Sequence, residues 1–505
     1  MGDYLGIDCG VFAAIDLDKR PVFPLLYWGM RAQNHRGHQS HGFLTYDGQF
    51  HIHKALDLIP KIKRNEVKSW LVNLPGHIGI ANVRYTTSGR TDHESLQRGT
   101  QPVTAEKGDI KIAVSFNGNV VNTRQLREEI RKIFPGFHYE CDAELICRKL
   151  LIELIERKDL VSAVKACMEK IEGAFSVTGI TSKGEFFAFK DPYGIRPLCA
   201  GHSRDSKVYA FSSESVGLNI NDLILDFELE PGELVMASEE GLKREKLVEN
   251  GKAFCAFEFA YFARPDSRFG DKYVYEVREE FGRNLARENP DIVKDADLII
   301  SMPETGNDAA YGLHEETGLR WERATRRHRF VTERAFILLP HERYRTIDKK
   351  INILAEKVRG KRVIVIDDSI VRGDTTRVVV EKLRKMGAKK VYVFVTFPRI
   401  IGPCFYGIDM ATYGELIGSK HSPEEIAKIV GADAVRYQSI ESFVRATGMR
   451  KDELCLGCIT RKYPTPLAQQ LADKMYKWFL RGCKETGRIY ETADLTETRS
   501  LYSKR

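Results

Sequence analysis

Three groups of residues in this chain have types and spacings that could do chemistry. The first centres on Cys9, which opens the run Cys9-Gly10-Val11-Phe12. If residues 1–8 were removed, Cys9 would carry both a thiol and a free α-amine. That amine, with an ordinary pKa of about 7.7–8.0, suits the role of general base for its own thiol, so no histidine is required. With Asn117-Gly118-Asn119 elsewhere in the chain, this suggests amide hydrolysis by an N-terminal nucleophile. The plainer alternative is a buried core cysteine, since free cysteine is among the most buried residue types. The second group is Val363–Thr376, where an apolar run ends in Asp367-Asp368 and Arg372-Gly373-Asp374-Thr375-Thr376 opens a helix. Open α/β sheets place ligands at such strand ends. Backbone N–H groups, the helix dipole and two hydroxyls there make an anion cradle. The two acids cannot favour phosphate, so they should serve hydroxyls or a divalent metal. A sugar phosphate meets both demands, against a plainer reading as capping acids and a helix N-cap. The third group is Cys255, Cys404, Cys455 and Cys458. A lone C-x-x-C is weak evidence, but with two distant cysteines it becomes a four-thiolate set fit for Zn²⁺ or a [4Fe–4S] cluster. Spacing does not separate those metals. Cys141, Cys147, Cys167, Cys199 and Cys483 lack such a context and read as core or surface residues.

The elements that must position these groups fall into two textures. Up to about residue 245 the chain reads as a strand-rich α+β unit, with short runs such as 79–85, 110–116, 174–180, 186–190 and 208–212 between Gly, Asp and Asn turns. Helices are predicted over 123–134 and over 143–156, the second opened by Asp142 as a cap. From about residue 290, strand and helix alternate. Val363–Ile366 is continuously apolar, as a strand buried on both faces must be. Val379, Leu383 and Met386 recur at helical spacing, and Gly387 sits where a C-terminal cap belongs. Residues 361–395 therefore form a βαβ unit of a mostly parallel sheet with helices on both faces. Residues 246–290 read as a bridge and residues 471–505 as a charged tail.

Composition narrows the function. The chain has 505 residues, 43% hydrophobic and 29% charged, which is far from the disordered regime. No run of about 18 apolar residues exists, so no membrane span is expected. The start MGDYLGIDCG has no basic n-region, and Gly6 breaks the myristoylation pattern. Lys and Arg total 78 against 70 Asp and Glu, and no long basic run supports nucleic-acid binding. Ten cysteines without a secretory signal suggest reduced thiols and a cytoplasmic protein.

The wording of the second group, DDSIVRG, resembles that of glutamine phosphoribosylpyrophosphate amidotransferases, the amidophosphoribosyltransferases. The first half resembles the same family's glutaminase domain through Cys9-Gly-Val-Phe, Arg36-Gly-His-Gln-Ser, Val83-Arg-Tyr-Thr-Thr, Phe116-Asn-Gly-Asn-Val-Val-Asn122 and Asp191-Pro-Tyr-Gly-Ile-Arg-Pro197. The resemblance implies an α+β N-terminal nucleophile glutaminase domain of stacked antiparallel sheets with helices (9–245). An α/β phosphoribosyltransferase domain with a mostly parallel sheet follows (246–470, bridge included), and residues 1–8 would be a propeptide. It further implies that Cys9 attacks glutamine, while Asn117 and the Gly118 N–H stabilise the oxyanion, at about 3–4 kcal/mol per donor. Arg84 would bind the glutamine carboxylate and Asp142 its ammonium. Asp367 and Asp368 would hold the ribose hydroxyls of phosphoribosyl pyrophosphate (PRPP) and Mg²⁺. Ser369, Arg372, Gly373, Thr375 and Thr376 would bind around its 5′-phosphate, and the turn Ser301–Gly306 would contact the pyrophosphate. The four cysteines occur in the contexts of the family's [4Fe–4S]-bearing branch, and a homo-oligomer, dimer or tetramer, is implied.

The chain also departs from the family. The loop that closes over PRPP reads Arg327-His-Arg-Phe-Val-Thr-Glu-Arg-Ala-Phe-Ile337, one residue longer than usual and without its Gly. Arg329, Arg334 and Lys350 would keep its basic contacts. Asp374 brings a negative charge beside the expected phosphate, and Asn82 stands where His commonly precedes Val-Arg-Tyr. These changes motivate two rivals to ammonia transfer onto C1 of PRPP: a glutaminase paralogue with another acceptor, and a PRPP-sensing regulator.

Overall fold

The computed structural model describes residues 9–63, 65–85, 93–327, 349, 351–483 and 488. In the strand Gly10–Asp16, Val11, Ala13 and Ile15 alternate with Phe12 and Ala14, and both sets are buried. A strand buried on both faces needs a layer on each side. The helix Phe23–Ala32 supplies one, with Phe23, Leu26 and Met30 in a core with Phe12 and Ala14. A second sheet supplies the other, where Val11, Ala13 and Ile15 share a core with Ala113, Ile180, Phe186 and Ala188. The first sheet runs Ile224–Glu228, Cys199–His202, Val208–Ser212, Gly10–Asp16, Ile78–Arg84, Ser40–Tyr46, Phe50–Leu56. The second runs Gly241–Lys246, Glu233–Ser238, Phe186–Lys190, Gly173–Thr181, Ile110–Val120, Val103–Lys107. Neighbours are antiparallel in both. Helices Thr123–Ile133, Asp142–Arg157 and Leu160–Lys170 cover the outer face of the second sheet through Leu126, Leu150 and Val164. The stacked antiparallel sheets expected of the first half are present.

The second half is built on a parallel sheet in the order Leu298–Ser301, Arg362–Asp367, Lys390–Val395, Ala434–Tyr437. Val363 and Val365 pack with Val379 and Leu383 of the helix Asp374–Lys385, while Ile364 and Ile366 pack with Leu285, Ala309 and Leu313. Helices thus cover both faces, as the unbroken apolar strand required.

The two halves share a core in which Val121, Ala174 and Ile195 sit with Phe257, Phe405 and Trp478. Four buried charges cross the same junction. Arg36 donates to Glu214 at 2.7 Å and to Glu258 at 2.7 Å, and Arg196 contacts Glu258 at 3.4 Å. Burial alone would push the Arg36 guanidinium down; the Glu258 and Glu214 carboxylates more than reverse that and raise it. Burial would likewise raise Glu214, but His35 and Arg36 hold it far below the usual carboxylate range. Removing one member would strand a buried counter-charge, a loss of about 3–5 kcal/mol.

Three expected boundaries shift. The helix predicted over 123–134 ends at Ile133. The next helix begins at Asp142, with Cys141 as N-cap, so Asp142 is not the cap; its carboxylate turns to a neighbouring strand instead of its own helix N–H groups. The tail expected from residue 471 begins later, because the helix Pro466–Leu480 buries Leu471, Ala472, Met475 and Trp478 along one face. Its first turn is held by the first half: Glu172 accepts from the N–H groups of Leu467 and Ala468.

Candidate active sites

Cys9 precedes the central strand of the first sheet, where Gly10 pairs with Val83, so it lies at the level of Arg84. It is 7% exposed. Its thiol donates to the Tyr85 carbonyl at 3.9 Å, and the Gln101 side-chain amide donates to its sulfur at 3.8 Å. The sulfur is therefore seated among polar groups and not sealed in hydrocarbon. Gln101 in turn accepts from the Phe116 N–H at 2.7 Å. Ser213 makes a second tie, accepting from the Val11 N–H at 3.0 Å and from Asn117 Nδ2 at 3.5 Å. The nucleophile strand and the 116–118 segment of the second sheet are thus bound side to side. Neither Gln101 nor Ser213 was singled out from the sequence. Both are common polar residues, and only their partners across the two sheets mark them.

Gly118 has φ +148°, and a Cβ there would lie 1.9 Å from the Ala174 carbonyl oxygen. No side chain fits without moving the paired strand. Gly118→Ala should therefore cost about 2 kcal/mol or more, read as a lower urea midpoint at unchanged slope.

Arg84 is 3% exposed, and its buried Nη1 has no hydrogen-bond partner among the described residues. A buried guanidinium with an unspent donor is poised for an anion. Asn117 Oδ1 is likewise buried and unpartnered. The Asp142 carboxylate accepts from the Val120 N–H at 2.9 Å and from the Tyr139 hydroxyl at 2.5 Å. Burial pushes its pKa up, against the downward pull of those two donors and of Arg488 and Arg84. Arg84 also acts on the neighbouring Cys141 thiol, which burial pushes up to about 12. Arg84 is thus near enough to Asp142 to draw its carboxyl down.

In the second half, Asp367 and Asp368 end a central strand of the parallel sheet, both nearly fully buried. Ser369 donates to Asp368 at 2.6 Å and Thr305 donates to its other oxygen at 2.5 Å. The turn Ser301–Gly306 is thereby fastened to the acid pair. Burial pushes Asp368 up, while the Ser369 and Thr305 hydroxyls and Arg278 pull it down. Gly373, at φ +85°, is the N-cap of the helix Asp374–Lys385, a conformation that suits glycine. Thr375 and Thr376 are buried in its first turn. Arg372 is ion-paired with Glu415. The Asp374 side chain is 39% exposed and 3.6 Å from Arg377 one turn on, so its charge is partly answered locally. Arg329, Arg334, Lys350 and residues 1–8 lie outside the described residues.

The four cysteines gather at the junction. Phe254–Cys255 pairs in parallel with Leu454–Cys455, Cys255 opposite Cys455, and Cys458 follows on the short helix Gly457–Thr460. The Cys458 carbonyl accepts from Ile401 and Gly402, which brings up the segment carrying Cys404. Cys404 Sγ accepts from the Tyr406 N–H at 3.3 Å. Burial raises the Cys458 thiol well above its ordinary value, and Cys404, Cys455 and Cys255 raise it further. Four free thiols drawn from three parts of the chain are therefore neighbours. Among the described residues, no three His, Cys, Asp or Glu side chains are gathered closely enough to hold a single metal ion.

A family described as a glutamine amidotransferase domain matches residues 89–219. An amidophosphoribosyltransferase of Methanocaldococcus jannaschii is 37% identical over 90% of this chain and 98% of its own. That of Bacillus subtilis is 33% identical over 92% of this chain and 96% of its own. Among solved structures, the glutamine PRPP amidotransferase of B. subtilis, complexed with ADP and GMP, superposes with a TM-score of 0.80 at 32% identity, over 91% of this chain and 98% of that one. A structure described as the allosteric regulatory enzyme of purine biosynthesis gives 0.81 at 31% identity, over 97% and 100%.

Proposed function

The chain belongs to the amidophosphoribosyltransferase family, and from that premise we propose that it moves ammonia from the glutamine side chain to C1 of PRPP. The products are 5-phosphoribosylamine, pyrophosphate and glutamate, the first step of purine synthesis. What supports the reading is one chain in which Gln101 ties the Cys9 sulfur to Phe116 and Ser213 ties Val11 to Asn117, while in the other half a buried acid pair leads into a helix N-terminus.

In the first half, the Cys9 thiol gives its proton to its own α-amine once residues 1–8 are removed. The sulfur attacks the glutamine carboxamide, and Asn117 and the Gly118 N–H receive the oxyanion. Arg84 forks onto the substrate carboxylate and Asp142 takes the ammonium. In the second half, Asp367 and Asp368 orient the ribose hydroxyls, while Ser369, Arg372 and residues 373–376 hold the 5′-phosphate at the helix N-terminus. By the family resemblance Arg329, Arg334 and Lys350, which lie outside the described residues, would add basic contacts to PRPP, and exclusion of water from the sugar would favour ammonia. Mg²⁺, held through Asp367 and Asp368, supplies charge neutralisation for the departing pyrophosphate.

A [4Fe–4S] cluster in a structural role fits Cys255, Cys404, Cys455 and Cys458. None of the four is in a disulfide, Cys255 sits opposite Cys455, and the Cys458 carbonyl holds the segment that carries Cys404. Protein purified without oxygen is expected to carry about four iron and four sulfide per chain, and Cys458→Ser to lose them with its thermal stability. The ten cysteines form no disulfide, which suits a reducing cytoplasmic compartment, and no helix among the described residues is long and apolar enough to cross a membrane. The direct test is pyrophosphate release. It should require PRPP together with glutamine or ammonia; glutamine turnover indifferent to PRPP would favour another acceptor.

A further inference from the structure

We propose that Gln101 is a further catalytic residue of the glutaminase half, its side-chain amide donating to the Cys9 sulfur and stabilising the thiolate for attack. The inference rests on the reading of Cys9 given above. Gln101 is 2% exposed. Its Oε1 accepts from the Phe116 N–H at 2.7 Å. A backbone N–H can only donate, so the oxygen must face Phe116 and the nitrogen must face the other way. What that nitrogen meets is Cys9 Sγ, at 3.8 Å.

The two contacts at the sulfur are not equivalent once the proton leaves. The Tyr85 carbonyl, 3.9 Å away, accepts from the thiol and can only repel a thiolate. The Gln101 amide gains, because a hydrogen bond to an ion is roughly twice as strong as one between neutral groups. Satisfying the Phe116 N–H would need only an acceptor. The second half of the carboxamide has no structural debt to settle, and it points at the nucleophile. Phe116 also precedes Asn117 and Gly118, so a single side chain sets the distance between the sulfur and the oxyanion donors.

The chemistry balances without a bond to Gln101. The thiol proton passes to the Cys9 α-amine, a sulfur lone pair forms the C–S bond to the glutamine carboxamide carbon, and the carbonyl π pair moves onto oxygen. As that adduct collapses, the carbonyl re-forms, the C–N bond breaks and the α-ammonium returns its proton to the leaving nitrogen, so that ammonia departs; a water that attacks next gives its own proton to the amine. When water later cleaves the thioester, sulfur leaves as a thiolate and meets the same amide.

Two variants of the processed enzyme test this. Gln101→Glu keeps an acceptor for Phe116 but sets oxygen against the sulfur, and Gln101→Met keeps the length and removes both polar contacts. Each is assayed for glutamine kinetics, for ammonia-dependent transfer in the other half as a check of folding, and for alkylation of Cys9 by iodoacetamide followed by peptide mass. The kcat with glutamine should fall about tenfold in Gln101→Met and about a hundredfold in Gln101→Glu, with KM within about twofold. Cys9 alkylation should slow in parallel, since the thiolate is the reacting form. If either variant retains ammonia-dependent transfer and alkylates Cys9 at the wild-type rate, the proposal is overturned. Failure of the parent reading looks different: wild-type pyrophosphate release that ignores glutamine.

Discussion

Cys9→Ala is expected to abolish pyrophosphate release driven by glutamine, by about a thousandfold or more, while release driven by ammonia stays within about twofold of wild type. The asymmetry follows from where the sulfur sits. The described contacts of the Cys9 sulfur, to Tyr85 and Gln101, lie in the first half, so its loss should remove the nitrogen donor and spare the acceptor. Replacing a buried thiol by alanine leaves only a small cavity, so the protein should fold, with a destabilisation of about 1 kcal/mol. The measurement is initial rate of pyrophosphate formation with saturating PRPP and either nitrogen source. Equal loss with both sources would mean that the two halves do not divide the reaction as proposed.

The reciprocal experiment is the double replacement Asp367→Asn, Asp368→Asn, which should reduce transfer from glutamine and from ammonia alike, by about 10²–10⁴-fold. Both carboxylates end a buried strand, and the turn carrying Thr305 is tied to one of them. Asparagine preserves the shape: its oxygen can accept from one of the Ser369 and Thr305 hydroxyls, and its NH₂ can donate to the other once that hydroxyl turns. What disappears is the pair of negative charges that would bind Mg²⁺ and steady the positive charge developing at the anomeric carbon. Titration calorimetry with PRPP and Mg²⁺ separates loss of binding from loss of turnover. If wild-type protein bound PRPP without ever releasing pyrophosphate, the regulator reading would replace the enzyme.

The junction explains why these halves should be studied as one molecule. Arg36 donates to the Cys9 carbonyl at 3.4 Å while gripping Glu258, which belongs to the segment leading into the second half. Asn119, one residue beyond the expected oxyanion glycine, donates to the Phe405 carbonyl at 3.1 Å, next to Cys404. The four-cysteine region is therefore built against the back of the glutaminase site. Loss of the proposed cluster should weaken both activities through the fold.

Much of this was legible in the linear chain because the chemistry is local there. A strand ending in two acids and turning through Gly373 into a helix is contiguous, and so is the run from Phe116 to Asn122. The apolar Val363–Ile366 announced a strand buried on both faces, which in turn demanded the helix layers found. Other features depended on partners that no spacing encodes. Gln101 reaches Cys9 across 92 positions, and Arg36 reaches Glu258 across 222. Asp142 looked like a helix cap because a helix follows it, yet Val120 from the neighbouring sheet claims its carboxylate. Asp374 reads as a charge set against phosphate, and the ion pair it makes with Arg377, 3.6 Å away, is visible only in the folded chain. The reason is physical. Periodicity and turn chemistry act over a few residues and survive in any context, whereas a buried polar atom takes whichever partner the packed layers bring within reach, and that is decided only when the sheets and the two halves close on one another.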